Sequence, residues 1–438
     1  MMMLWFLLAV GLLVFIHEMG HYLAARSVGV HVERFSIGFG RVLLRLTDRR
    51  GCEWALSVLP LGGYVKLNID QSSLGARAWV VSAGPLANFV FAMAAYGVLA
   101  ALPKDEPRAI LAAPALESPA ARAGIRAGDE VLAVNDAPIA HYQALRWALL
   151  KEAVTQGDLN VNLTVQDRGG SPRTVSLQVP QDRTQSHAGP EDTLQRSGIQ
   201  LQSMAVRVTQ VLVGSPAEQA GIQAGQVLLG LNGIPLEQPA ALIQAVRQAG
   251  GQPVVLDLVS VAPGSALQEV PGSARRVSLI PVVGPDGQVR IGLGLAPLVQ
   301  TVRIEQGPFD AFVEGMSRTI DMASLSLKAL GRMLTGDLSW RQLSGPATIA
   351  DAAGQSADRG AVAFLGFLAL VSVSIGILNL LPVPMLDGGH LLYYAIEFVR
   401  GRPLSEGAQR MGQQVGLAAI LSLTGLALAS DLLRYFGT

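Results

Sequence analysis

Four stretches of this chain are long and apolar enough to cross a bilayer, and that constrains its fold more than any other feature. A spanning helix needs roughly 20 mostly apolar residues to cover about 30 Å of hydrocarbon. Met3–Leu23, Trp79–Leu102, Ala361–Leu381 and Gly412–Leu432 each supply them. Within hydrocarbon a backbone has no water to bond to, so only structures that satisfy their own N–H and C=O groups persist there. The expected architecture is a multi-pass α-helical membrane protein with four transmembrane helices. The first stretch has an apolar core at Leu4–Ile16 like that of a signal peptide. No basic leader precedes it, however, and His, Glu, Gly and His follow in place of a small-residue cleavage site. It is read as an uncleaved helix.

The chain carries 33 basic and 33 acidic side chains, which gives a nucleic acid or other polyanion no electrostatic reason to bind. Its single cysteine, Cys52, excludes an internal disulfide framework and a cysteine-based zinc cluster, so a metal site would draw on His, Asp and Glu. Cations near the helix ends set the expected orientation. Arg26, Arg34, Arg41, Arg45, Arg49, Arg50, Lys66 and Arg77 lie between the first two stretches, and Arg400, Arg402 and Arg410 between the last two. Both connections are expected to be cytoplasmic. The termini and the long stretch from about Pro103 to Gly360 then lie on the other side, the periplasm if the membrane is the inner membrane of a bacterium.

That long stretch contains a duplication. Ser118 to Ile139 aligns without gaps on Ser215 to Leu236, an offset of 97 residues, with 11 of 22 positions identical. Solenoid repeats recur at roughly 20 to 50 residues, so a longer period indicates duplicated domains. Each copy has a Ser-Pro-Ala start for a short capped helix, an Ala-Gly turn, and an apolar strand leading to an Asn-containing turn. The pattern resembles the circularly permuted bacterial PDZ domain, an α/β fold. Gly292-Leu293-Gly294-Leu295 resembles a PDZ peptide-binding loop, with a purely steric role as the alternative reading. The expected organisation is 1–107 for the first two helices and a re-entrant β-hairpin, 108–202 and 203–300 for the two PDZ-like domains, 301–360 for an amphipathic linker, and 361–438 for the last two helices.

The chemistry is concentrated in the first apolar stretch. His17 and His21 are four residues apart and share one face of a helix, with Glu18 beside them. Two neutral imidazoles so placed can hold Zn²⁺, and the adjacent carboxylate can take a proton from water. An amphipathic helix bearing this motif on its polar face is the plainer reading. Ionisable groups at membrane depth, however, are costly enough to mark function. A catalytic zinc needs a third protein ligand and an open position. The other histidines are His31, His141, His187 and His390, but Asp387 is the stronger candidate. Pro382 and Pro384 break the chain after the third helix, a geometry tolerated at membrane depth only where protein or a cavity surrounds it, so Asp387 would face inward. A cap on the next helix is the alternative for this aspartate.

HEMGH in the first helix, LPVPMLDGGH after the third and a tandem PDZ-like pair between the second and third together resemble the RseP-type bacterial site-2 proteases over essentially the whole chain. These are intramembrane zinc metalloproteases. The resemblance implies that His17, His21 and Asp387 bind Zn²⁺, that Glu18 is the general base, and that Asn379 holds substrate, while His390 is not a ligand. Phe35–Gly40 and Ser57–Leu67 resemble a membrane re-entrant β-element near the zinc. An edge strand there would hold an unwound substrate, with Gly38, Phe39 and Gly40 as candidate contacts. Gly84-Pro85-Leu86-Ala87-Asn88 resembles the family's GPxxN motif, read as close packing near the site. Only about ten residues separate Lys66 from Arg77, where the family usually has a longer loop.

Phe309 to Leu334 spaces apolar residues at three- or four-residue intervals among charges, which predicts amphipathic helices at the membrane surface. The resemblance implies a part in substrate gating, and a packing linker is the alternative. By the same resemblance the chain would cut transmembrane segments of single-pass proteins, such as an anti-sigma factor, and remnant signal peptides. The PDZ pair would serve as a size-exclusion filter. The expected partners are these substrates and membrane lipid, with the enzyme itself a monomer. A transporter would call for a repeat within the membrane region, which the four stretches lack. A catalytically dead scaffold would be expected to have lost Glu18 or a ligand.

Overall fold

The computed structural model of the chain describes residues 1–69, 71–155, 159–167, 169–179, 197–260, 274–283, 289–336 and 345–436. It divides into two units, one joining Met1–Lys104 to Glu305–Thr438 and the other joining Asp105–Gln181 to Ala188–Ile304. The first unit opens with α1 (Met2–Ser27), continues through a hairpin of β1 (Val32–Thr47) and β2 (Glu53–Leu67), and reaches α2 (Leu74–Ala101). Ser73 caps α2 by accepting a bond from the Ala76 amide.

The hairpin strands are bent. Gly38 and Gly40 have φ of 88° and 87° and Gly62 has 112°, conformations that a Cβ disfavours, and the pairing register shifts beside the first two. The bends flank the run Arg34–Ile37 with β2 on both sides. Phe35 lies opposite Val65 and also Trp54, and Ile37 opposite Gly63 and also Leu56. Among the described residues the run Gly63–Leu67 pairs with the start of β1 alone and so forms an edge. Fully buried Phe35 packs edge-on against Phe15 and Tyr22, which fixes the element to α1.

In the second unit, β3 (Lys104–Pro107) precedes a copy built from α3 (Pro119–Arg122), β4 (Glu130–Val134), β5 (Ala137–Pro138), α4 (Tyr142–Thr155), β6 (Leu159–Gln166) and β7 (Pro172–Val179). The second copy runs through β8 (Ala205–Val211), α5 (Pro216–Gln219), β9 (Val227–Leu231), β10 (Ile234–Pro235), α6 (Pro239–Gln248), β11 (Val254–Val259) and β12 (Arg275–Leu279). Short β13 (Val282–Val283) and β14 (Val289–Arg290), then β15 (Leu293–Leu298) and β16 (Thr301–Ile304), complete it. The duplication extends to individual hydrogen bonds. Ser118 and Ser215 cap α3 and α5, and the Asn135 and Asn232 side chains accept from the amides of Asn162 and Val255. The sheets run β5-β4-β6-β7 and β12-β11-β9-β8-β15. In the first copy, bridges from Ile110 to Glu130 and Leu111 to Leu201 stand where β8 and β15 stand in the second. Each sheet has its own apolar core, around Leu145, Leu163 and Leu177 in one and Leu228, Leu242 and Leu256 in the other.

The chain returns to the first unit with α7 (Pro308–Thr335), α8 (Pro346–Asp358), α9 (Ala361–Leu380), α10 (Asp387–Arg400) and α11 (Glu406–Phe436). Among the described residues α1, α2, α9 and Glu406–Asp431 of α11 are the 4 helices long and apolar enough to span a membrane. The amphipathic α7 packs along α2. A Cβ on Gly315 would stand 2.6 Å from the Gly97 nitrogen and 2.9 Å from its Cα, so the two backbones touch. Asp431, 5% exposed, accepts bonds from the Gly345 and Ala347 amides at 3.2 and 2.9 Å and from the Thr348 hydroxyl at 2.6 Å. A charge at the end of a helix apolar enough to span a membrane thereby caps α8. Gly315→Leu should force α7 from α2 at an overpacking cost of about 1–3 kcal/mol. That would appear as a lowered thermal midpoint of the purified protein in detergent, and an unchanged midpoint would contradict the contact.

Candidate metal centre

Two glycines decide how the site is assembled. A Cβ on Gly20 would overlap the Ala83 carbonyl and sit 2.8 Å from the Ala87 Cβ, so α1 approaches α2 to backbone distance. A Cβ on Gly84 would overlap the His21 ring and sit 2.9 Å from His17 Cε1, so the two imidazoles occupy the space over this glycine. The rings lie edge to face with centroids 4.8 Å apart. Each is held from behind by α2. His21 Nδ1 donates to the Val80 carbonyl at 2.8 Å, and His17 Nδ1 lies 3.2 Å from the Asn88 amide. Pro85, inside α2, removes a helical amide from this same stretch.

The third group arrives from the far end of the chain. α9 stops at Leu380, a non-helical segment carries the two prolines, and Asp387 begins α10. Gly388 and Gly389 let α10 fold back onto that segment. A Cβ on Gly388 would overlap the Leu380 and Leu381 carbonyls, and one on Gly389 would stand 2.7 Å from Pro384 Cα. Asp387 Oδ2 then lies 3.1 Å from His17 Nε2 and 3.4 Å from His21 Nε2, with the two imidazole nitrogens 3.2 Å apart.

These atoms fit a metal. With Nδ1 of His21 donating to a carbonyl, its Nε2 carries a lone pair. Asp387 Oδ2, toward which it points, is buried and among the described residues meets no hydrogen-bond donor apart from these two imidazoles. Lone pairs crowded together repel unless a cation lies among them. A tetrahedral zinc with bonds of about 2.0 to 2.1 Å holds its ligands about 3.3 Å apart, close to the three separations found.

The site lines a cavity of 760 Å³ within the first unit. Glu18 lines it too and takes a backbone hydrogen bond from Val65 of the β2 edge. Asn379, in the last turn of α9, and Phe39 also border the cavity. Gly38 and Gly40 are not among its lining residues and serve at the bend of β1. From β2 the glycine-led run Gly62–Val65 lines the cavity as well. His390 is exposed at the cavity wall, His141 stands near Glu106 in the second unit, and His187 lies outside the described residues. Sequence reasoning did not single out the ion pair between Arg77 of α2 and Glu397 of α10 at 2.5 Å, whose guanidinium also lies over the Tyr394 ring. Two charges 320 positions apart leave no local pattern to find.

The family model of peptidase family M50 matches residues 5–423. The chain belongs to peptidase family M50. It is 36% identical over 454 residues to the regulator of sigma-E protease RseP of Escherichia coli, with 98% of each chain covered. It is 36% identical over 449 residues to protease RseP of Yersinia pestis, again covering 98% of each. A Ralstonia nicotianae protein named as a zinc metalloprotease is 37% identical over 462 residues, at the same coverage. This M50 peptidase is thus a zinc metalloendopeptidase of the RseP type, a site-2 protease. Because a methyl group at position 84 would collide with both imidazoles, Gly84→Ala should empty the metal site. Gly11→Ala in α1, where a Cβ meets nothing within 4 Å, should leave it intact. Metal analysis of the two purified variants checks this, and full zinc occupancy in Gly84→Ala would refute the geometry.

Proposed function

We propose that this chain cuts the transmembrane segments of single-pass membrane proteins, with His17, His21 and Asp387 as zinc ligands and Glu18 as general base. The observation that carries the reading is the convergence of those three ligand atoms beside Glu18, in a cavity walled on one side by an open strand edge. Bound zinc supplies Lewis-acid polarisation at that point. Glu18 takes the proton from the attacking water and afterwards gives it to the leaving amine. A helical substrate hides its peptide bonds within its own hydrogen bonds and has to be unwound before it can be cut. The Gly63–Leu67 edge, whose Val65 amide is held by Glu18, offers its other outward backbone groups in exchange, with Phe39, stacked on Tyr64, beside it. Asn379, a polar side chain lining the same cavity, is suited to hold the extended chain.

The relatives and the charge pattern support a biological setting. Relatives named as regulators of sigma-E support a substrate of the anti-sigma factor type, and remnant signal peptides are a second class of single-pass segment. The cations flanking the spans support an inner-membrane orientation with both termini and the repeat domains periplasmic and the catalytic residues toward the cytoplasm. The two repeats are PDZ domains inserted between the second and third helical segments of the chain, and they exclude substrates whose periplasmic part has not been trimmed. In the second repeat, Leu212, Ile243, Val246, Gly292, Leu293 and Leu295 border a groove of 310 Å³ between α6 and β15.

Two experiments bear on this. Glu18→Gln should keep zinc and lose roughly 10²- to 10⁴-fold in cleavage of a model transmembrane substrate, and persistent cleavage would sink the mechanism. Excising the two repeats should release the enzyme from its need for a prior cut. If full-length substrate is still spared, the filter is wrong while the catalytic assignment stands.

A further inference from the structure

We propose that Asn88 is a positioning residue for zinc, fixing the proton of His17 on Nδ1 and the plane of its ring. The inference rests on the zinc reading of the site and extends it to a residue that touches no metal. Asn88 is fully buried in α2, and its side-chain amide meets His17 Nδ1 at 3.2 Å. The other end of the amide is buried and has no hydrogen-bond partner among the described residues. The imidazole is therefore the side chain's one polar contact among the described residues. Buried amides are normally satisfied at both ends, so packing alone is a poor reason to keep one here.

Proton counting gives the amide its orientation. Oxygen and nitrogen of an amide have nearly the same shape, and the hydrogen-bond network decides between them. His17 Nε2 faces Asp387 Oδ2 and His21 Nε2, so it must present a lone pair to the ion and its proton must sit on Nδ1. The Asn88 amide then turns its oxygen to accept that proton. His21 is served in the same way by the Val80 carbonyl at 2.8 Å. Both imidazoles are thus buttressed from α2, one by a backbone carbonyl and one by a side chain. Asn88 also accepts, on its own carbonyl, the Ser372 hydroxyl of α9 at 2.9 Å. That bond joins α2, behind His17, to the helix that leads to Asp387.

Outer partners of this kind typically change metal affinity about 10- to 100-fold when removed. The test is a zinc titration of the full-length, metal-stripped protein in detergent against a competing chelator, with thermal unfolding of each metal-free sample. Asn88→Leu should weaken zinc binding by roughly 10- to 100-fold, while its metal-free form melts no lower than the unaltered protein. Asn88→Asp, which keeps an acceptor, should retain the original affinity. If Asn88→Leu does not fold, Asn88→Ala takes its place in the comparison with Asn88→Asp. Undiminished affinity in the leucine or alanine variant, or equal loss in the aspartate variant, overturns the inference. His17→Ala run alongside keeps the two readings apart. If it binds zinc as well as the unaltered protein, or if the unaltered protein binds none, the metal assignment fails and this inference with it.

Discussion

The backbone approach of α1 to α2 is the contact on which the rest of the active unit depends. In lipid, helices gain little from burying apolar surface against one another, so close association rests on small residues and on polar contacts. Gly20 brings the helices together, and Gly84, on the facing helix, leaves the volume into which His17 and His21 project. Once the backbones are that close, α2 can supply Val80 and Asn88 as partners for the two rings. A wider spacing would leave both imidazoles able to rotate, and two freely rotating rings present no fixed lone pairs to a metal.

Irregular backbone is tolerated where it does something for the site. The bends at Gly38, Gly40 and Gly62 fold a two-stranded hairpin so that Arg34–Ile37 is paired on both sides and Gly63–Leu67 on one. Residues of that run line the cavity. The proline-broken segment before Asp387 is covered by its own glycines, which let α10 close over it. Asp431 shows the same economy in α11, where a buried carboxylate is spent on the otherwise unpaired amides at the start of α8.

Much of this was legible in the amino-acid order because it is local. The four apolar stretches, the His-Glu-His spacing, the break before Asp387 and the duplicated Ser-Pro-Ala turn units all announce themselves within a few residues. The segment Phe309 to Leu334 was legible as an amphipathic helix, but its contact with α2 through Gly97 and Gly315 was not, since glycines in a helical pattern do not say which neighbour they admit. Gly38 and Gly40 stood out as permissive residues. How they bend β1 over β2 was not legible, because that register is set by pairing between strands. Asn88 was visible only as part of a packed motif, because its relation to His17 spans 71 positions.

By itself, the sequence determined the inventory: which segments can live in hydrocarbon, which residues can bind zinc or move a proton, and which domain was copied. Those properties follow from side-chain chemistry and from helix and strand periods, which operate over one or two turns. Only the tertiary structure decided that three ligand atoms from residues as distant as His17 and Asp387 come within 3.4 Å of one another. It also decided which strand of the hairpin is left open beside them. Distances of that kind are set by where backbones can touch, and that depends on the glycines of one helix meeting the carbonyls and rings of another.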